Sequence, residues 1–109
     1  DALADFEEAN RLAPQYANAY NNRALVEIAQ GRHRQAIEDL DKALERDPEY
    51  VDAYNNRGFA ALQLRRYDRA LADFNAALRL NPKYVNAYNN RGLAKQQMGD
   101  LDGAVYDFT

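Results

Sequence analysis

Apolar positions along this chain recur three and four residues apart and never alternate strictly. From residue 54, the small and apolar side chains Tyr54, Gly58, Ala61, Leu62 and Leu64 fall along one stripe of a helix. From residue 70, Ala70, Leu71, Phe74, Ala77 and Leu78 form a second stripe with the same spacing. Breaks near Gly31, Arg65 and Gly99 separate the two kinds of stripe. A residue just past a helix end often needs a positive φ, which glycine adopts without penalty. Arg65 lacks that ease, so the middle turn is expected to be more strained than its neighbours. Asp47-Pro48 and Asn81-Pro82 end the second stripes, because proline cannot continue a helix and disfavours helical angles in the residue before it. The pattern predicts helices near 1–12, 17–30, 33–46, 51–64, 67–80 and 85–98, with another starting at 101, and no strand.

The pattern repeats. Pro14, Pro48 and Pro82 are each 34 residues apart. Ala19-Tyr20-Asn21-Asn22-Arg23 returns as Ala53-Tyr54-Asn55-Asn56-Arg57 and as Ala87-Tyr88-Asn89-Asn90-Arg91. Ala36, Ala70 and Ala104 keep the same step, as do Asp39, Asp73 and Asp107, and stepping back lands on Ala2, Asp5 and Phe6. The chain is therefore read as one array: 1–14 as the second helix of a preceding repeat, 15–48 and 49–82 as repeats, and 83–109 as a truncated one. This phase suggests a piece of a longer protein. Small residues (Ala36, Ala70, Ala104; Ala24, Gly58, Gly92) recur where the helices of a hairpin must approach to about 8–10 Å. Glycine within a helix costs about 1 kcal/mol against alanine, so its recurrence implies tight packing. Tyr20, Tyr54 and Tyr88, with Phe6, Leu40, Phe74 and Phe108, supply the bulk. One hairpin cannot bury its apolar face alone, whereas stacked hairpins can.

The 34-residue period, the aromatic Tyr54, Gly58 four residues later, Tyr67, Ala70, Phe74, Ala77 and Pro82 resemble the tetratricopeptide repeat, over virtually the whole chain. The tryptophan common at the first aromatic position is Tyr here. The leucine usual before the glycine is Arg23, Arg57 or Arg91, and the aromatic further along is Glu27, Ala61 or Lys95. The resemblance implies an all-α, right-handed superhelical solenoid of antiparallel helix hairpins: about three repeats plus a leading helix. It also implies that the first helices line a concave groove, which in this family typically holds an extended or helical peptide.

Each complete first helix carries the Arg, and each second helix an Asp. Pairs Arg23–Asp39, Arg57–Asp73 and Arg91–Asp107 are expected, shared with the Asp of the preceding repeat (Asp5, Asp39, Asp73), because a guanidinium fork suits a half-buried carboxylate. A ligand-contacting role is the competing reading. On the family template Asn22, Asn56 and Asn90 face the groove, bordered by Asn21, Asn55 and Asn89. An amide offers both donor and acceptor and can hold a peptide backbone without reading its side chains. This resembles the asparagine ladder in the superhelix of the O-linked N-acetylglucosamine transferase. Leu25, Phe59 and Leu93, three residues after the ladder Asn, share nearly its face, extended by Ile28 and Leu62. They either take apolar side chains of a partner or pack between first helices. Asn18, Asp52 and Asn86 are expected at one rim, and Gln63, Gln96 and Gln97 towards the other. The groove lysine of chaperone-binding members falls on Asn21, Asn55 or Asn89, and their groove asparagine on Leu25, Phe59 or Leu93, so a two-carboxylate clamp is not expected.

Composition narrows the rest. The chain has 109 residues with 17 acidic and 14 basic side chains, for a net charge of -3. That is no footprint for nucleic acid. Without cysteine there is no disulfide, thiolate site or cysteine nucleophile. No run is long and apolar enough to span a membrane, and no signal pattern is seen, so the compartment is undetermined though compatible with the cytoplasm. His33 is the only histidine and lacks a second ligand or relay partner. Glu38 and Asp39, or Asp100 and Asp102, have no calcium loop around them. Neither metal, cofactor nor catalytic site is expected. The function implied is a scaffold for a protein or peptide partner. The alternative is head-to-tail self-association through ends exposing Leu3 and Phe6, or Val105 and Phe108.

Overall fold

The computed structural model describes residues 15–99, which form five helices: α1 (Gln15–Ala29), α2 (His33–Arg46), α3 (Val51–Gln63), α4 (Tyr67–Leu80) and α5 (Val85–Gln97). The bounds fall within two residues of those the apolar periodicity predicts. The expected helices at 1–12 and from 101 lie outside the described residues. α1 packs on α2 and α3 on α4 as hairpins, α2 on α3 and α4 on α5 join the hairpins, and the first helices α1, α3 and α5 touch in succession. This is an all-α solenoid of stacked helix hairpins.

The hairpin turns close in one way. The Arg32 N–H donates to the Glu27 carbonyl (2.7 Å) and the Arg66 N–H to the Ala61 carbonyl (2.9 Å). Each bond spans a residue of positive φ, Gly31 (79°) in one turn and Arg65 (61°) in the next; Gly99 (90°) holds the third position. Arg65 thus adopts a left-handed conformation that costs an L-residue with a Cβ about 1–2 kcal/mol.

Between hairpins, the Asp–Pro and Asn–Pro steps fold back on themselves. The Glu49 N–H donates to Asp47 Oδ1 and the Lys83 N–H to Asn81 Oδ1, both at 3.1 Å. Tyr54 and Tyr88 then donate their hydroxyls to the Pro48 and Pro82 carbonyls at 3.0 and 2.9 Å. These tyrosines, where the family often has tryptophan, stitch the connection to the helix it precedes.

The core runs along the hairpin seam, through Ala24, Ala36, Leu40, Ala43, Ala53, Ala60, Ala61, Ala70 and Phe74, all fully buried. Gly58 is needed in α3 for a measurable reason: a Cβ there would lie 2.6 Å from Phe74 Cε1 and 2.9 Å from Cδ1. The preceding hairpin meets the same space with Ala24 and the smaller Leu40, at the same offset of 16 residues. Leu62 joins this core at 2 % exposure and so does not extend the groove face, contrary to the sequence expectation.

Candidate functional site

Because α1, α3 and α5 lie side by side, residues 34 apart line up across them. Asn56 Nδ2 donates to Asn21 Oδ1 at 2.9 Å, and Asn90 Nδ2 donates to Asn55 Oδ1 at 3.0 Å. The two asparagine sets are thus wired to each other across neighbouring helices. Asn21 and Asn55 are 4 % and 6 % exposed, which makes them the buried acceptors. Asn56 and Asn90 are half-buried; Asn22 and Asn89 are exposed. One N–H of Asn56 and of Asn90 is used in the bridge, which fixes the amide and leaves its carbonyl and second N–H for other partners.

Asn55 also flanks the Tyr84 hydroxyl, which donates to Asp52 Oδ1 at 2.5 Å. Burial, with the Asp52 carboxylate alongside, pushes that phenol up to about 12. The rim residue Asp52 is thereby tied to the following repeat. Asn18 and Asn86 are exposed.

The faces enclose a concave pocket of about 450 Å³, lined by Leu25 and Ile28 from α1, Asn55, Asn56 and Phe59 from α3, and Asn86, Asn89 and Asn90 from α5. None of these lining side chains is charged. Leu25 is 44 % and Leu93 37 % exposed, so neither is consumed by packing, while Phe59 is half-buried. The pocket gathers residues from three helices that no local stretch of sequence holds together.

The arginines beside the asparagines face the hairpin seam. Arg23 forks onto Asp39 through Nε (2.9 Å) and Nη2 (2.5 Å), and Arg57 onto Asp73 through Nε (3.0 Å) and Nη2 (2.8 Å). Each guanidinium also lies over the tyrosine one turn earlier: Arg23 on Tyr20 and Arg57 on Tyr54 at 5.6 Å, Arg91 on Tyr88 at 5.3 Å. The carboxylate shared from the preceding repeat is not Asp39. Arg57 Nη1 reaches Asp41 at 2.9 Å, and Arg91 Nη1 reaches Asn75 at 2.8 Å. Two residues further along α2 or α4 places a side chain nearer the next first helix than Asp39 or Asp73, whose oxygens are taken within their own hairpin. Asp107 lies outside the described residues.

Glu27, in a position held by Ala61 and Lys95 in the other repeats, is buried beside Asp39, and its Oε1 has no hydrogen-bond partner among the described residues. Burial pushes its carboxyl up to about 7, with Asp39 adding to the rise against Arg23 and Arg32. Burial alone would raise Asp39 too, but hydrogen bonds from Arg23 and Glu27 hold it below the usual range. Of the two carboxyls, Glu27 is thus the one that takes up a proton more readily. The sequence marks this residue only as a departure from an aromatic.

The sequence profile of the tetratricopeptide repeat matches residues 1–50, 22–84 and 57–108. The chain belongs to the tetratricopeptide repeat family. No curated protein sequence matches it significantly. Among solved structures, the second tetratricopeptide domain of Spaghetti (RPAP3), bound to the HSP90 peptide SRMEEVD, is 29% identical with a TM-score of 0.84, over 93% of both chains. The second such domain of human RPAP3, in complex with the HSP70 peptide SGPTIEEVD, is 28% identical with a TM-score of 0.81, over 88% of this chain and 81% of that one. The Arabidopsis OM64 tetratricopeptide domain superposes with a TM-score of 0.85 over 87% of this chain and 78% of its own; at 22% identity it speaks for the fold alone. Among the described residues no helix is long and apolar enough to cross a membrane.

Proposed function

We propose that this tetratricopeptide array is a protein-interaction module, not an enzyme, and that its concave face holds an extended segment of a partner. The observation that carries the reading is the uncharged pocket of about 450 Å³ that α1, α3 and α5 share. Asn56 and Asn90 offer a carbonyl and an N–H one repeat apart, oriented by Asn21 and Asn55, which suits a peptide backbone. Leu25, Ile28 and Phe59 offer an apolar wall for one of its side chains. The peptides bound by the two RPAP3 structures end in Glu-Glu-Val-Asp. With no Lys or Arg in this lining, a segment of polar and apolar side chains fits better than an acidic terminus. The test is selection from a random 12-residue peptide library on the wild-type protein, followed by affinity measurement on the Asn56→Ala/Asn90→Ala variant with its folding checked by circular dichroism. Loss of roughly tenfold or more supports the ladder, at about 1 kcal/mol for each hydrogen bond. Equal binding by a folded variant rejects it.

A further inference from the structure

A second surface lies away from the groove, at the edge formed by the hairpin turns. Arg32, Arg34, Arg65, Arg66 and Arg69 are all exposed there, in a chain of net charge -3. Among the described residues, Arg32, Arg34, Arg65 and Arg66 have no carboxylate within salt-bridge distance, and Arg69 only Asp41 at 3.5 Å. They border two shallow pockets one repeat apart. One, of about 380 Å³, is lined by Arg32, His33 and Arg34 with Leu64 from the next hairpin; the other, of about 440 Å³, by Arg65, Arg66, Tyr67 and Arg69 with Met98. Asp68 is the one acid in either lining.

Three of these arginines stand where local physics disfavours them. Arg65 occupies the left-handed position that Gly31 and Gly99 fill in the neighbouring turns. Arg34 and Arg69 sit in the first turns of α2 and α4, where a cation opposes the helix dipole, and the first turn of α2 holds no acid to offset it. Among the described residues no ion pair offsets the placement of Arg65 or Arg34, whereas Arg69 has Asp41 at 3.5 Å and shares its helix turn with Asp68. Residues that break a local rule without a structural return mark places shaped by something other than folding.

We propose that this edge docks an acidic segment of a partner protein that also carries an apolar side chain. The arginines meet its carboxylates, which a guanidinium fork suits, and Leu64 or Met98, the latter 45 % exposed, receives the apolar group. That apolar floor, Asp68 within the lining and the negative charge of the whole chain favour a protein partner over nucleic acid. The site does not depend on the groove reading.

The experiment titrates the full chain against a fluorescein-labelled 12-residue peptide of glutamates with two leucines, an all-glutamate peptide of equal charge and a 12-nucleotide oligothymidylate. Expected is salt-sensitive binding of the leucine-containing peptide, tighter than either comparison. Arg65→Gly alone weakens it about two- to fivefold while raising Tm by several degrees. Arg65→Gly/Arg66→Gln/Arg69→Gln weakens it about tenfold or more. Asn56→Ala/Asn90→Ala leaves it within twofold. The proposal is overturned if the wild type does not bind the peptide, if the triple-arginine variant binds as well as wild type, if the asparagine variant loses affinity equally, or if the oligothymidylate binds more tightly.

Discussion

Replacing Gly58 by alanine places a methyl group in space that Phe74 already fills. The added Cβ would meet Phe74 Cε1 at 2.6 Å, Cδ1 at 2.9 Å and Cζ at 3.1 Å, and Phe74 is fully buried with no open side to turn towards. Overpacking of this kind costs about 1–3 kcal/mol. Alanine returns about 1 kcal/mol of helix propensity. The net expectation is a loss of up to about 2 kcal/mol, or a fall of up to roughly 16 °C in Tm for a domain of this size. The first hairpin suggests the remedy, since it carries Ala24 with Leu40 at the same offset. Adding Phe74→Leu to Gly58→Ala should therefore recover most of the loss, while Phe74→Leu alone, which leaves a void, should destabilise. Urea denaturation of the four proteins measures the coupling directly. A Gly58→Ala protein that is more stable than wild type, or single effects that simply add, would refute the close approach of α3 and α4 at this point.

Three further outcomes follow from the charged groups and the ladder. The Glu27 carboxyl is raised from 4.5 to about 7, so the folded state binds the extra proton between those values. Its contribution is fully present below about pH 4.5 and is lost as pH rises through 7, by an amount on the order of 3 kcal/mol at most; Glu27→Gln should flatten this slope and stabilise the protein at pH 8, and a parallel curve for the variant would contradict the assignment. Arg57→Leu leaves Asp73, whose side chain is 5% exposed, without its fork; unfolding should become easier by about 2–4 kcal/mol, and Arg57→Leu/Asp73→Leu should recover more than half of that. Asn55→Leu removes the acceptor that fixes the Asn90 amide, so affinity for a library-selected peptide should drop while Asn55→Asp, which keeps an acceptor oxygen, retains more of it.

Much of the fold was legible because repetition multiplies weak signals. A single three-and-four pattern leaves helix ends uncertain, but Pro14, Pro48 and Pro82 at a constant step, with Gly31 and Gly99 two steps apart at the turns, fix the phase of the hairpins. Asp73 could be matched to Arg57 because both depart from an apolar seam and keep the offset of 16 residues. The link from Arg57 to Asp41 was not legible: it crosses between hairpins, and which of several acids on α2 faces the next helix depends on the packing angle. The asparagine bridges share that difficulty. Asn21 and Asn22 recur together in every repeat, so the pattern cannot say that one is a buried acceptor and its neighbour's counterpart the donor; only the side-by-side placement of α1 and α3 decides it. Glu27 was silent for another reason. Its chemistry comes from burial beside Asp39, and no periodic feature announces burial of a carboxylate at a position that holds Ala61 and Lys95 elsewhere.

The central claim is that the concave face of the first helices is where the partner lies. The most direct measurement is backbone and side-chain amide chemical-shift mapping with a library-selected peptide. The account predicts the largest changes at the Asn56 and Asn90 side-chain amides and along Leu25, Ile28 and Phe59, with α2 and α4 little affected. Changes concentrated on α2 and α4, with those amides unmoved, would contradict it.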